Sequence, residues 1–319
     1  MQVIDGLNAA ELPFQESVVA IGAFDGIHIG HRAIIQTAVT LASKRGCPAV
    51  VFTFDRHPAE LLRPEAAPAY ISTPQQRISL VQELNADYLV VAHFDEALSQ
   101  LSPEQFVHHI LIDRLGAQQV VVGHDFRFGR GRAGDAAGLK LLGQQNGFDV
   151  LALEPVMVGD LPASSTRIRE YILAGNVPAA EEILGHLFVL TGTVVQGKQV
   201  GRTLGFPTAN LACSYRQVVP ANGIYAVQVE LPELGLQLSG ACSIGVRPTV
   251  EDGRTERTVE TFLFDFDADI YGQALNLRFV EYLRPELKFS NLDALVTQMQ
   301  SDCERAKDIL SQFSAATRS

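Results

Sequence analysis

The sequence predicts two domains of different class: an α/β domain with a parallel sheet, then an all-β domain closed by one helix. Three observations carry this expectation. The chain has 319 residues, and a single hydrophobic core rarely grows past roughly 250–300 residues. Its first half alternates near-continuous apolar runs with helical patterns, which is how a parallel sheet covered on both faces reads. Its second half strings strand-like runs together with little helix between them, as a small barrel or sandwich does.

In the first half the strand candidates are Val18–Phe24, Ala49–Phe54, Tyr88–Phe94, Val120–Gly123 and Phe148–Leu153. Helical patterns fill the gaps at Gly30–Arg45, Pro74–Leu84, Pro103–Leu115 and Ala136–Gln145. Ser102-Pro103-Glu104-Gln105 combines an N-cap, a proline at the first helical position and a Gln three residues after the cap; Thr73-Pro74 is a weaker version. Gly46 stops the first helix.

The second half begins near Gly185-His186, after a short helical segment from Pro178, so the expected domains are 1–186 and 187–319. Its strand candidates are Phe188–Val195, Gly223–Leu231, Leu236–Val246, Val259–Phe266 and Leu275–Leu283. Tyr225, Val227, Val229 and Leu231 alternate with Ala226, Gln228 and Glu230, the period of a half-buried antiparallel strand. In the closing helix, Ser290 is the expected cap and Asp293 completes a box. Leu292, Leu295, Met299, Ala306 and Leu310 form its apolar face.

Composition narrows the function. Hydrophobic residues make up 47% and charged residues 19%, so the chain is globular rather than disordered. A net charge of −11 argues against nucleic acid or an anionic membrane as partner, while leaving room for a phosphorylated small substrate. Cys47, Cys213, Cys242 and Cys303 are dispersed and form no C-x-x-C, which reads as reduced thiols in a cytoplasmic protein without a zinc site. No signal peptide is visible, and no apolar stretch approaches the roughly 20 residues needed to span a bilayer.

Chemistry concentrates first at Gly22-Ala23-Phe24-Asp25-Gly26-Ile27-His28-Ile29-Gly30-His31, between a strand and a helix. A helix N-terminus offers free N–H groups and partial positive charge to a phosphate. Gly22, Gly26 and Gly30 admit close backbone approach. His28 and His31 are three apart, so both imidazoles can face one phosphate chain and donate to oxygens that gain charge. The plainer reading is a tight turn with solvent-exposed capping histidines. The agreement of glycines, Asp25, strand and helix favours the phosphate site.

His28-Ile29-Gly30-His31 is similar to the H-x-G-H signature of the nucleotidylyltransferase superfamily, and the longer string from Gly22 resembles the prokaryotic FAD synthetases. Their second signature has its counterpart in Ser164-Ser165-Thr166-Arg167-Ile168-Arg169, whose hydroxyls and guanidiniums suit β- and γ-phosphates. Alone, that segment fits an N-cap with surface arginines equally well. Two further segments match the family: Phe52-Thr53-Phe54-Asp55-Arg56-His57-Pro58, and Gly123-His124-Asp125-Phe126-Arg127-Phe128-Gly129. The aromatic and cationic mix of the latter suits a planar ring system, or else simply packs.

The second site opens at Gly197-Lys198-Gln199-Val200-Gly201-Arg202-Thr203-Leu204-Gly205-Phe206-Pro207-Thr208-Ala209-Asn210. Glycines around Lys198 and Arg202 make a cationic loop able to wrap phosphates, and Thr208 and Asn210 offer two hard oxygens on one side of an extended segment, which suits Mg²⁺. By composition alone it is a turn-rich stretch of a barrel. From Gly201 to Asn210 it resembles the riboflavin kinase signature at every position, and Ser243–Thr249, with Arg247, agrees. The resemblance implies that Glu260 is the general base, which by its place in a strand could equally be an outward-facing residue.

Taken together, the chain resembles the bifunctional bacterial FAD synthetases over nearly its whole length. That implies a Rossmann-like nucleotidylyltransferase domain followed by a six-stranded antiparallel barrel with a C-terminal helix. It also implies ATP as co-substrate with Mg²⁺, and riboflavin, FMN and FAD as substrates and products. His28, His31 and Glu260 would be catalytic. Gly22, Phe24, Asp25, Gly26, Gly30, Asp125, Ser164, Ser165, Thr166, Arg167 and Arg169 would bind in the first domain. Gly197, Lys198, Gly201, Arg202, Gly205, Thr208, Asn210 and Arg247 would bind in the second. The alternative is a flavin-binding regulator that has lost one or both activities.

Overall fold

The computed structural model describes residues 1–7, 14–197, 206–213, 215–248 and 255–316. They fall into two compact units, Met1–Ser165 and Thr166–Ser319.

In the first unit the strands are β1 Gln2–Asp5, β2 Ser17–Ile21, β3 Ala49–Phe54, β4 Tyr88–Ala92, β5 Ala117–Gly123 and β6 Asp149–Leu153. All pair in parallel, in the order β1-β4-β3-β2-β5-β6. The principal helices are α1 Ile29–Arg45, α2 Pro74–Gln82, α3 Pro103–Phe106 and α4 Ala136–Asn146. Every position of β2 is buried, as a strand covered on both faces requires. From β2 the chain builds outward through β3 and β4, then crosses back to lay β5 on the other side of β2. That reversal opens a crevice at the carboxyl ends of β2 and β5, where open α/β sheets bind ligands.

Two expectations change here. β1 was not anticipated; it is four residues long, mostly exposed, and carries no periodic signal. The helix expected over Pro103–Leu115 is one α-turn followed by a π-helix, Val107–Ile112. Its wider turn sets Val107, Ile110, Leu111 and Leu115 together into the core.

In the second unit, helices α5 Ser165–Leu173 and α6 Val177–Leu184 precede six strands. These are β7 Phe188–Val195, β8 Thr208–Ala212, β9 Gly223–Leu231, β10 Leu236–Pro248, β11 Thr255–Leu263 and β12 Ala274–Arg284. They close an antiparallel barrel in the order β7-β8-β11-β10-β9-β12. Tyr225, Val227, Val229 and Leu231 line its interior, as their alternation predicts.

Helix α7, Leu292–Ala316, covers an outer face, where Ala306 and Leu310 meet Ala226, Val280 and Leu283. Its cap is Asn291, whose Oδ1 accepts the Ala294 N–H at 2.8 Å, not Ser290. Leu292, placed on the apolar face by spacing, is 63% exposed and does not join the cluster that Ala306 and Leu310 form with the barrel. The stretch at Thr208–Ala212, turn-like by composition, is a strand because it pairs on both sides, with β7 and with β11.

Candidate functional site

The crevice of the first unit is built around the entry to α1. His28 is the N-cap: its Nδ1 accepts the backbone N–H groups of Gly30 and His31 at 3.2 and 3.3 Å. Because Nδ1 is an acceptor, the ring proton sits on Nε2, the nitrogen left to donate to a ligand. The sequence left capping and phosphate binding as alternatives; one imidazole can do both, one nitrogen for each. The plainer alternative of solvent-exposed capping histidines does not hold for His28, which is only 6% exposed. His31 stacks on it with ring centroids 3.6 Å apart and planes 19° off parallel. Burial drives the His28 pKa from 6.5 down to about 4, against an opposing pull from the charge of Asp125. The stacked pair therefore does not carry two positive charges at neutral pH.

That depression sets a pH dependence. Unfolded, His28 titrates near 6.5; folded, near 4, so between these values the unfolded chain binds the extra proton. The stability His28 contributes is whole above about pH 6.5 and is lost as pH falls toward 4, by about 3 kcal/mol in all. Thermal melts from pH 7 to pH 4 are expected to show a steeper loss for the wild type than for His28→Asn. Parallel curves would contradict the buried neutral ring.

The loop leading to this cap is held in an unusual shape. Phe24 and Ile27 have φ of 49° and 42°, left-handed values that cost bulky side chains energy. The Phe24 ring, fully buried, meets His31 edge-on at 5.3 Å. Gly22 lies beneath that ring, where an added Cβ would fall 2.8 Å from it. Gly22→Ala is therefore expected to cost about 1–3 kcal/mol, read as a shift in denaturation midpoint; an unchanged midpoint would show that Phe24 can move aside.

Asp25 is not free to face phosphate. Its carboxylate, 5% exposed, accepts N–H groups from Ile71 and Ser72 at 3.0 and 3.1 Å and the Ser72 hydroxyl at 3.3 Å. It ties the loop to residues 71–72, which no motif flagged. Ser165 joins the same loop, donating to the Asp25 carbonyl at 3.1 Å. Asp125, just past β5, is exposed. The neighbouring aromatic segment is mainly packing: Phe128 is buried against Phe106, and Phe126 stacks on Phe128. Its cation Arg127 pairs with Asp135. In the Phe52–Pro58 segment, Asp55 accepts the Phe94 N–H at 2.9 Å and His57 caps a short helix. Ser164 is half-buried just before α5. Thr166, Arg167 and Arg169 stand in the first turns of α5, with Arg167 over the Tyr171 ring.

In the second unit the register assembles the site. Asn210 on β8 pairs directly with Glu260 on β11, and Ser243 on β10 pairs with Glu260 from the other side. The Thr208 hydroxyl donates to Glu260 Oε2 at 3.4 Å. Thr208, Asn210 and Glu260 are half-buried on the outer barrel face, while Ala209, Thr261 and Val259 point inward. Gly197 lies against the Asn210 amide, where a Cβ would overlap it. A cavity of about 180 Å³ adjoins Thr208, lined also by Val194, Phe266 and Tyr271. Hydroxyl, amide and carboxylate oxygens side by side are the donor set that a hard divalent cation takes together with phosphate oxygens. Lys198, Gly201, Arg202 and Gly205 lie outside the described residues; Arg247 stands in β10 opposite Glu256.

A histidine-capped helix at the switch point of a parallel sheet, and a hydroxyl–amide–carboxylate cluster on a barrel, define a two-unit transferase of nucleotide phosphates. The family model described as FAD synthetase matches residues 11–167, and that described as riboflavin kinase matches 184–310. The bifunctional riboflavin kinase/FMN adenylyltransferases of Escherichia coli and Pseudomonas fluorescens are each 37% identical. The alignments cover 95% and 96% of this chain, and 96% and 97% of those proteins. The chain belongs to the bifunctional riboflavin kinase/FMN adenylyltransferase family. A crystal structure described as a macrolide-efflux protein from Streptococcus pneumoniae is also similar, with TM-score 0.85 and 33% identity over 95% of this chain and 97% of that one. Among the described residues no helix is long and apolar enough to cross a membrane.

Proposed function

We propose that this chain makes FMN and then FAD from riboflavin and two molecules of ATP. The kinase step is assigned to residues 187–319 and the adenylyl transfer to residues 1–186. In the first reaction the riboflavin 5′-hydroxyl attacks the γ-phosphorus of ATP, its proton passes to the Glu260 carboxylate, and ADP leaves. Thr208 and Asn210 would hold Mg²⁺, which when bound neutralises charge on the phosphates. In the second reaction an oxygen of the FMN phosphate attacks the α-phosphorus of ATP and pyrophosphate leaves. A phosphate monoester is already an adequate nucleophile, so His28 Nε2–H and His31 need only donate to the developing charge while the loop positions the reactants. Ser164, Ser165, Thr166, Arg167 and Arg169 would receive the departing pyrophosphate.

The observation that carries this reading is the pairing of Asn210 with Glu260, with the Thr208 hydroxyl on the same carboxylate. A carboxylate next to a hydroxyl and an amide oxygen supports the reading of Glu260 as base beside hard oxygen ligands. Four free cysteines support work in the cytoplasm, and a net charge of −11 favours small-molecule substrates over nucleic acid or an anionic membrane. The test is incubation of purified protein with riboflavin, ATP and Mg²⁺, followed by chromatography of the flavins. FMN and FAD are expected; recovery of riboflavin alone would sink the proposal.

A further inference from the structure

Residues 71–77 belong to no signature, yet they grip the loop that carries the histidines. The Ala23 carbonyl, part of the peptide entering left-handed Phe24, accepts from Thr53 Oγ1 at 3.1 Å and from Arg77 Nη1 at 3.3 Å. The same Arg77 nitrogen donates to the Phe54 carbonyl at 3.0 Å, at the end of β3. Two residues on, the Gly26 N–H donates to Ser72 Oγ at 3.0 Å, just before left-handed Ile27. Ser72 and Arg77 are both 6% exposed. Burying a guanidinium costs free energy, and a surface Arg would serve α2 as well; here it is spent on two carbonyls flanking the crevice. Non-glycine residues stay in left-handed backbone only where their surroundings over-determine them. The Arg77 grip falls on the peptide entering Phe24, and the Ser72 grip falls on the Asp25–Gly26 peptide, one before the peptide that enters Ile27.

We infer that Ser72 and Arg77 are positioning residues for adenylyl transfer, acting through the backbone of residues 23–27. This rests on the assignment of that reaction to the first unit. The path is short. The Ala23–Phe24 peptide orients the Phe24 ring; the ring edge rests on His31, and His31 stacks on His28. Releasing either peptide lets the loop relax and carries the imidazoles off the reacting phosphates. Displacements near 1 Å lower rates about a hundred-fold without abolishing binding.

The test compares Ser72→Ala, Arg77→Met and Arg77→Lys in the full chain. FAD formation from FMN and ATP is measured with kcat and KM separated, and FMN formation from riboflavin is followed in the same preparations. Ser72→Ala and Arg77→Met are expected to lose about ten- to hundred-fold in kcat for FAD, with KM for ATP little changed and FMN formation intact. Arg77→Lys, which keeps a buried cationic donor, is expected to recover most of the loss. Should Arg77→Met fail to fold, Ser72→Ala removes a single hydroxyl and still decides. Wild-type kcat in folded variants, or a rise in KM alone, overturns the inference and leaves the functional reading standing. A wild-type protein that makes FMN but no FAD overturns the assignment itself, and the inference falls with it.

Discussion

Glu260→Gln is expected to abolish most FMN formation from riboflavin while leaving FAD formation from supplied FMN intact. The amide has nearly the shape of the carboxylate and can still accept from the Thr208 hydroxyl, so the β8–β11 pairing should survive. What it cannot do is take the proton of the riboflavin hydroxyl. General-base catalysis contributes about a hundred- to ten-thousand-fold, and a loss of that size in kcat is expected. Asn210→Ala should also depress FMN formation, more through Mg²⁺ dependence than through pH dependence, because the proposal makes its amide oxygen a ligand and not a base. The two assays are run on one preparation, with riboflavin or FMN as the starting flavin. FMN production at the wild-type rate in Glu260→Gln would remove the base from the mechanism, and equal loss of both activities would remove the division between units.

His28→Asn is expected to do the reverse, lowering FAD formation by about a hundred- to a thousand-fold and sparing FMN formation. Asparagine is among the best N-caps, so its side-chain oxygen can replace Nδ1 toward Gly30 and His31. It has no counterpart to Nε2–H at the same reach. His28→Ala loses both functions and should be less stable than His28→Asn by about 1 kcal/mol, the usual worth of a cap. Stability is thus read from the difference between the two variants, and chemistry from what they share. If His28→Asn made FAD normally, His28 would be a cap and nothing more.

Much of this was legible in residue order. The parallel sheet showed itself in apolar runs such as Val18–Ile21, the caps in Ser102 and Thr73, and the αL stop in Gly46, because these depend on neighbours a few residues away. The closing helix was legible as a pattern but misplaced at its start: Ser290 and Asn291 are equally good cap types, and the cap hydrogen bond to the Ala294 N–H is made by Asn291. The candidate residues were found as strings, Gly22 to His31 and Thr208 to Asn210 with Glu260. The contacts each side chain makes were not. Asp25 sits among them in the string, but turns its carboxylate to Ile71 and Ser72. Arg77 looks like an ordinary helix-surface cation, yet is buried behind Ala23.

By itself the order of residues determined that there are two domain classes, that a candidate phosphate site lies at the start of α1, and that candidate hard oxygen donors cluster near residue 208. Those features rest on short-range stereochemistry: glycine dihedrals, capping hydrogen bonds and the periods of helix and strand. Only the tertiary structure decided that Asn210 faces Glu260 across two strands, that His28 is buried and neutral, and that segment 71–77 braces the histidine loop. Each of these depends on which distant segment fills the space beside a residue. Strand register and burial settle that, and both are properties of the whole packed unit rather than of any local stretch of chain.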